Sequence, residues 1–195
     1  MSIEQLRTTS GALMEGPLVI TPQVFGDDRG FFHESWNQRR FDEAVGASVC
    51  FVQHNHSRSS RGVLRGLHYQ LEPGTPGQGG ALPSGEIFDV AVDVRRSSAT
   101  FGQWVAGRLS AESHNLLWVP VGFAHGFLTL SETARCNTKR AATGARPASA
   151  LSASFYHQSF GNQYWALARP SEDKPAAADP RAPRGCCRTA AADMQ

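Results

Sequence analysis

The chain has no long hydrophobic run, no metal-binding spacing of cysteines, no block of like charge and very little helical periodicity. Each absence closes a class of function. The apolar stretches fall far short of the roughly 18 residues needed to cross a bilayer, so no membrane contact is expected. Four cysteines lie at 50, 136, 186 and 187. One adjacent pair and two isolated residues do not make the two-plus-two arrangement of a structural zinc site. Lys+Arg number 19 and Asp+Glu 17, a net charge of +2. That balance speaks against a nucleic-acid partner and leaves room for a local basic pocket. Glu4, Arg7 and Glu15 interrupt the start of the chain, so no secretory leader is expected and a cytoplasmic enzyme or binding domain is the default.

What is present is a set of short strands. A chain of 195 residues, 41% hydrophobic and 18% charged, suits one globular domain that needs no disulfide or metal to hold it. Extended pieces are predicted at Leu18–Ile20, Val24–Phe25, Gly30–Trp36, Val49–Asn55, Val63–Gln70, Ile87–Val94, Phe101–Val105, Leu116–Val119 and Phe123–Leu130. Ser57–Arg61 and the Pro- and Gly-rich stretch Leu71–Ser84 read as loops. One short helix is predicted over Asn37–Ala44, with Asn37 as its cap. Many short strands with glycine turns predict an all-β antiparallel sandwich, a double-stranded jelly roll of the cupin type.

Composition changes after Arg135. Residues 140–150 hold five alanines, and residues 171–195 hold seven alanines, three prolines and three arginines. Too few large apolar residues remain there for a core. The expected division is therefore a jelly-roll domain over 1–134 and a degenerate, poorly ordered region over 135–195. An out-of-frame reading of a GC-rich gene produces this composition, and resequencing codons 70–90 and 130–195 tests that origin.

Five motifs in order carry a resemblance. They are Phe25-Gly26-Asp27-Asp28-Arg29-Gly30-Phe31-Phe32 with Glu34-Ser35-Trp36, then Phe51-Val52-Gln53 with Asn55-His56-Ser57, then Leu64-Arg65-Gly66-Leu67-His68-Tyr69-Gln70. Gly85-Glu86-Ile87-Phe88-Asp89-Val90-Ala91-Val92-Asp93 and Pro120-Val121-Gly122-Phe123-Ala124-His125-Gly126-Phe127 complete the set. This pattern resembles the dTDP-4-dehydrorhamnose 3,5-epimerase family. The resemblance implies a cupin fold and epimerisation at C3 and C5 of a dTDP-linked 4-keto-6-deoxyhexose, a step toward dTDP-L-rhamnose. It implies no organic cofactor and no metal, and a homodimer that exchanges strands. A histidine takes the proton beside the ketone and a tyrosine returns one to the opposite face.

By that resemblance His68 is the catalytic base, and Arg29, Glu34, Gln53, Asn55, Arg65 and His125 bind substrate. The residue types suit the roles, and each also has a plainer reading. An imidazole titrates near neutrality, yet His68 could be an ordinary satisfied histidine. Arg65 and His68 are three apart, so an ideal strand would put them on opposite faces; a bulge or twist at Gly66 is needed to bring them together. Arg29 can grip a diphosphate in bidentate fashion, or it can pair with Glu34 at the surface. Gln53 and Asn55 share a strand face and suit a nucleobase or sugar hydroxyls, or simply an exposed polar surface. His125 could be a buried histidine bonded to backbone.

Two other functions compete. His54 and His56 with His125 match the His-x-His and later His of metal-dependent cupins, but no glutamate follows at the required position. A sugar-nucleotide-binding paralogue with impaired catalysis is suggested by departures from the family pattern. Gln78 stands where the family has an enolate-stabilising lysine, and Thr138 where it has the acidic tyrosine, although Lys139 is kept. The segment that carries the family's acidic partner for the catalytic histidine has no match after residue 150.

Overall fold

The computed structural model describes residues 1–69, 77–142 and 153–154. Its elements run β1 (Ser2–Arg7), β2 (Leu13–Thr21), β3 (Val24–Asp27), β4 (Gly30–His33), α1 (Gln38–Val45), β5 (Cys50–Ser60) and β6 (Leu64–Tyr69). Next come β7 (Gln78–Ser84), β8 (Glu86–Asp93), β9 (Trp104–Ser110) and β10 (Leu116–Val119). The order closes with β11 (Phe123–Thr129), β12 (Thr133–Ala142) and β13 (Ala153–Ser154).

One sheet has six strands in the order β1-β2-β10-β7-β12-β5, and the facing sheet has five, β13-β6-β11-β8-β9. Strands β3 and β4 form a separate hairpin. Pairing is antiparallel throughout the described residues. This is the cupin-like sandwich that the strand pattern predicts.

Alternation along each strand builds two apolar layers. Met14, Val19, Leu82, Ile87, Val105, Leu109, Leu117 and Val119 fill the space between the sheets. On the outer face of the six-stranded sheet, Leu18, Ile20 and Trp118 meet Phe41 of α1, with Trp36 and Phe51 beside them. Strand β2 therefore buries both faces and reads as a continuous apolar run. The helix starts where Asn37 Oδ1 accepts from the Arg40 amide at 3.1 Å and ends at Gly46, whose φ of 70° suits a left-handed cap.

Three expectations are corrected. Ser57–Ser60 is not loop but the end of β5, paired rung by rung with β12. Within the stretch read as loop, residues from Gln78 onward form β7. Gly79 and Gly80 sit between β10 and β12, where a ladder needs only backbone. Pro83 falls where the β7–β12 register shifts between Ala81 and Ser84, so its missing N–H breaks no regular rung. Finally, the 134/135 boundary expected from composition falls inside β12, which pairs with both β5 and β7 as far as Ala142. Apart from 153–154, the expected behaviour of residues beyond 142 lies outside the described residues.

Candidate active site

The apolar layer between the sheets gives way to polar groups at the end bounded by β5 and β6. Register assigns the side chains. Ala134 belongs to the inner core, so Cys136, Thr138 and Arg140 of β12 face inward too. Their partners in β5 are Ser57, Asn55 and Gln53, and in β7 Thr138 and Arg140 lie against Gly80 and Gln78. Between Arg140 and Ala141 the register slips past Val52 of β5. That slip turns Phe51 outward to the aromatic layer and leaves Gln53 and Asn55 facing inward. Gln53 Nε2 donates to Asn55 Oδ1 at 2.8 Å.

The opposing wall comes from β6, β11 and β8. His68 pairs directly with His125, and Arg65 with Phe127, so three positions of β6 span two of β11. This is the bulge that puts Arg65 and His68 on one face. Its geometry needs glycine: Gly66 has φ +124°, and a Cβ there would come 2.6 Å from Gly126 Cα and 2.8 Å from the His125 carbonyl oxygen. Arg65 Nε donates to Ser59 Oγ at 2.8 Å, and Arg65 Nη2 to the Arg58 carbonyl at 3.2 Å, tying the edges of the two sheets together.

His125 and Asp89 are buried, with His125 Nε2 2.6 Å from Asp89 Oδ1. The partner of His125 is thus a carboxylate rather than backbone. Asp89 was missed as a site residue in the sequence. Its signal is an acid at an inward strand position between apolar Ile87 and Ala91, where burial requires a partner. Arg140 was likewise legible only once β12 was known to be a strand, whereas Thr138 already stood out as a departure from the family pattern.

The electrostatics link these groups. His68 stays open to solvent, and its pKa is held below the usual histidine value, first by burial against the sheet and then by positive charge at His125, Arg65 and Arg140. A neutral imidazole near pH 7 is the form that can accept a proton. Burial, reinforced by Asp89, pushes the Cys136 thiol up to about 12, so it is no nucleophile.

Five of the seven expected site residues, Gln53, Asn55, Arg65, His68 and His125, therefore meet at this end of the sandwich. Arg29 and Glu34 do not join them within one chain. Arg29 lies at the tip of the β3–β4 hairpin, 90% exposed, and pairs with Asp27 rather than Glu34. Glu34 accepts from Asn37 Nδ2 at 2.9 Å and from Arg40 Nη1 at 3.2 Å. It lines a cavity of about 660 Å³ between the hairpin and the outer sheet face, together with Phe31, Trp36 and His114. The histidines of the metal alternative also separate. His54 pairs with outward Lys139 and His56 with Asn137, on the face of β5 opposite His125.

A model of the dTDP-4-dehydrorhamnose 3,5-epimerase family matches residues 12–163. A curated dTDP-4-dehydrorhamnose 3,5-epimerase of Shigella flexneri is 62% identical over 117 residues, covering 60% of this chain and 65% of the relative. One of Pseudomonas aeruginosa is also 62% identical, covering 60% and 64%. The match thus spans a little under two thirds of these relatives' length. Among solved structures, an epimerase from Legionella pneumophila in complex with dTDP-4-keto-L-rhamnose superposes with TM-score 0.67 at 44% identity, covering 77% of each chain. A 3'-monoepimerase from Streptomyces bikiniensis in complex with dTDP-quinovose gives TM-score 0.68 at 30% identity, covering 85% of this chain and 81% of that one.

Proposed function

The chain belongs to the dTDP-4-dehydrorhamnose 3,5-epimerase family, and we propose that it inverts C3 and C5 of dTDP-4-dehydro-6-deoxy-D-glucose with His68 as base. The observation that carries this reading is the pairing of His68 with His125 beside Arg65, on the face brought together by the β6 bulge. Neutral His68 takes the proton from a carbon beside the C4 ketone. The C–H electron pair becomes part of a C=C bond, and the carbonyl oxygen takes up the negative charge. A proton returned to the opposite face inverts the centre, and the same sequence at the second carbon completes the product. Asp89 holds His125 through Nε2, which fixes the ring beside the base. Arg65, anchored on Ser59, offers a cation to the diphosphate, and the amides of Gln53 and Asn55 offer neutral contacts.

Arg29 and Glu34 enter this reading through a homodimer. Their hairpin exposes Phe25, Phe31 and Phe32 at 57%, 63% and 70%, an apolar surface that suits a protein interface. A second copy could then carry Arg29 to the diphosphate, and sedimentation equilibrium tests the dimer. The substrate, a nucleotide sugar, gives the expectation of a cytoplasmic location; among the described residues no helix is long and apolar enough to cross a membrane.

A second reading, nucleotide-sugar binding with slow turnover, is favoured by one observation. Gln78 and Thr138 occupy inward positions opposite His68, where they supply neither a cation nor an acid. The test is incubation of the full chain with the 4-keto sugar in D2O. Deuterium incorporation that falls by roughly 10²–10⁴-fold in His68→Ala is the expected result. Incorporation indifferent to that substitution contradicts the epimerase reading.

A further inference from the structure

Proton abstraction beside a ketone leaves an oxyanion, and a site that performs it needs a cation or strong donors where that charge develops. In the wall facing His68, Gln78 and Thr138 are neutral. Two arginines remain at this end of the sandwich. Arg65 donates to Ser59 and to the Arg58 carbonyl, and its charge is the one offered to the diphosphate. Arg140 differs. It is half-buried on the inner face of β12, flanked in register by Gln78 on one side and Gln53 on the other. Gln53 turns its amide toward Asn55. Among the described residues, no group accepts a hydrogen bond from the Arg140 side chain and no carboxylate pairs with it. A half-buried guanidinium with no protein acceptor among the described residues is an uncommon arrangement, because burial of charge calls for a partner.

We propose that Arg140 is a catalytic residue of this chain, the cation that receives the enolate oxygen formed when His68 takes its proton. The proposal rests on the epimerase reading. Arg140 lies two residues from Thr138 on the same strand face and pairs directly with Gln78, so it borders the position where the family pattern puts a lysine and a tyrosine. Gly80, paired with Thr138, has no side chain to obstruct it. The charges around His68 are His125 on β11, Arg65 on its own strand β6 and Arg140 on β12, and with burial as the larger cause all three oppose its protonation. The same cation therefore helps to keep the base neutral and stabilises the anion that the base creates.

The test compares Arg140→Gln, Arg140→Lys and His68→Ala in the full chain. Three quantities are read: deuterium incorporation from D2O into the dTDP-linked 4-keto sugar, dTDP affinity by calorimetry, and the His68 titration midpoint by NMR. Arg140→Gln is expected to lower incorporation roughly 10²-fold, to change dTDP affinity far less, and to move the His68 midpoint upward. Arg140→Lys is expected to recover part of the rate, which a misfolded variant would not do. Unchanged incorporation or an unmoved midpoint in Arg140→Gln overturns the assignment. Equal losses of affinity and incorporation also overturn it, since Arg140 would then be a diphosphate ligand. If His68→Ala retains full incorporation, the epimerase reading itself fails and takes this role with it, a result separable from failure of Arg140 alone.

Discussion

The wall formed by β6, β11 and β8 and the wall formed by β5, β7 and β12 rest on equally regular ladders but present different chemistry. In the first, the β6 bulge sets His68 and Arg65 on one face with His125, and Asp89 holds His125. In the second, Gln53 and Asn55 fit the family pattern, whereas Gln78, Thr138 and Arg140 do not. Backbone pairing explains how both walls can form. A strand needs its N–H and C=O groups satisfied, and Gly79, Gly80 and Ala81 meet that need as well as larger residues do. Chemistry has no such tolerance, because a threonine hydroxyl is no replacement for a phenol of pKa about 10. The sandwich therefore survives substitutions that change what its cleft can do: on the proposed reading one wall takes a proton, and the other lacks the phenol and the lysine expected from the family pattern.

The largest effect should come from restoring the second wall. Gln78→Lys with Thr138→Tyr adds an ammonium and a phenol on the inner face of the second wall, and Gly80, paired with position 138, carries no side chain to oppose the ring. A positioned general acid is worth typically 10²–10⁴-fold, so with the phenol in place product formation should rise by at least roughly 10²-fold in a coupled assay. An unchanged rate would mean that the second wall already supplies an acid, and the contrast would disappear.

Next in size is removal of the support under the first wall. Asp89→Ala leaves the buried His125 imidazole without its partner. Unfolding free energy should fall by about 1–3 kcal/mol, measured by urea titration, with isotope exchange reduced alongside. Gly66→Ala attacks the same wall through the backbone. With φ at +124° and Gly126 Cα 2.6 Å from the added carbon, β6 must shift. A loss of about 1–3 kcal/mol is expected, with Arg65 and His68 no longer on one face.

The smallest effect concerns pH. Burial and three neighbouring cations hold the His68 pKa below the usual 6.5. The base works when neutral, so exchange should stay on its plateau at pH 7 and decline only as pH falls through that lowered value. An acid limb centred above 6.5 would contradict the environment described for His68.

How much of this was legible in the sequence follows the same division. Strands β8, β10 and β11 are rich in branched and aromatic residues and could be read directly. The helix was legible from its Asn37 cap and its Phe41–Val45 spacing. Strands β7 and β12 were not, because Gly, Pro, Ala and Arg carry no period-2 signal and their ladders are set by neighbours on both sides. The motif around His68 marked the residue proposed as base, and odd spacing from Arg65 required a bulge at Gly66, which β6 has. Separation of Arg29 and Glu34 from the other site residues could not be read. A motif gives order along the chain and does not say on which side of a sheet a hairpin lies.

The central claim, that one wall abstracts and the other returns protons poorly, is tested most directly by a single NMR measurement in D2O. Deuterium is followed at the carbons beside the ketone, in recovered substrate and in epimerised product at the same time. The account predicts wash-in to recovered substrate that outpaces formation of the inverted product, and loss of both in His68→Ala. Inversion as fast as wash-in, or inversion without any dependence on His68, would contradict it.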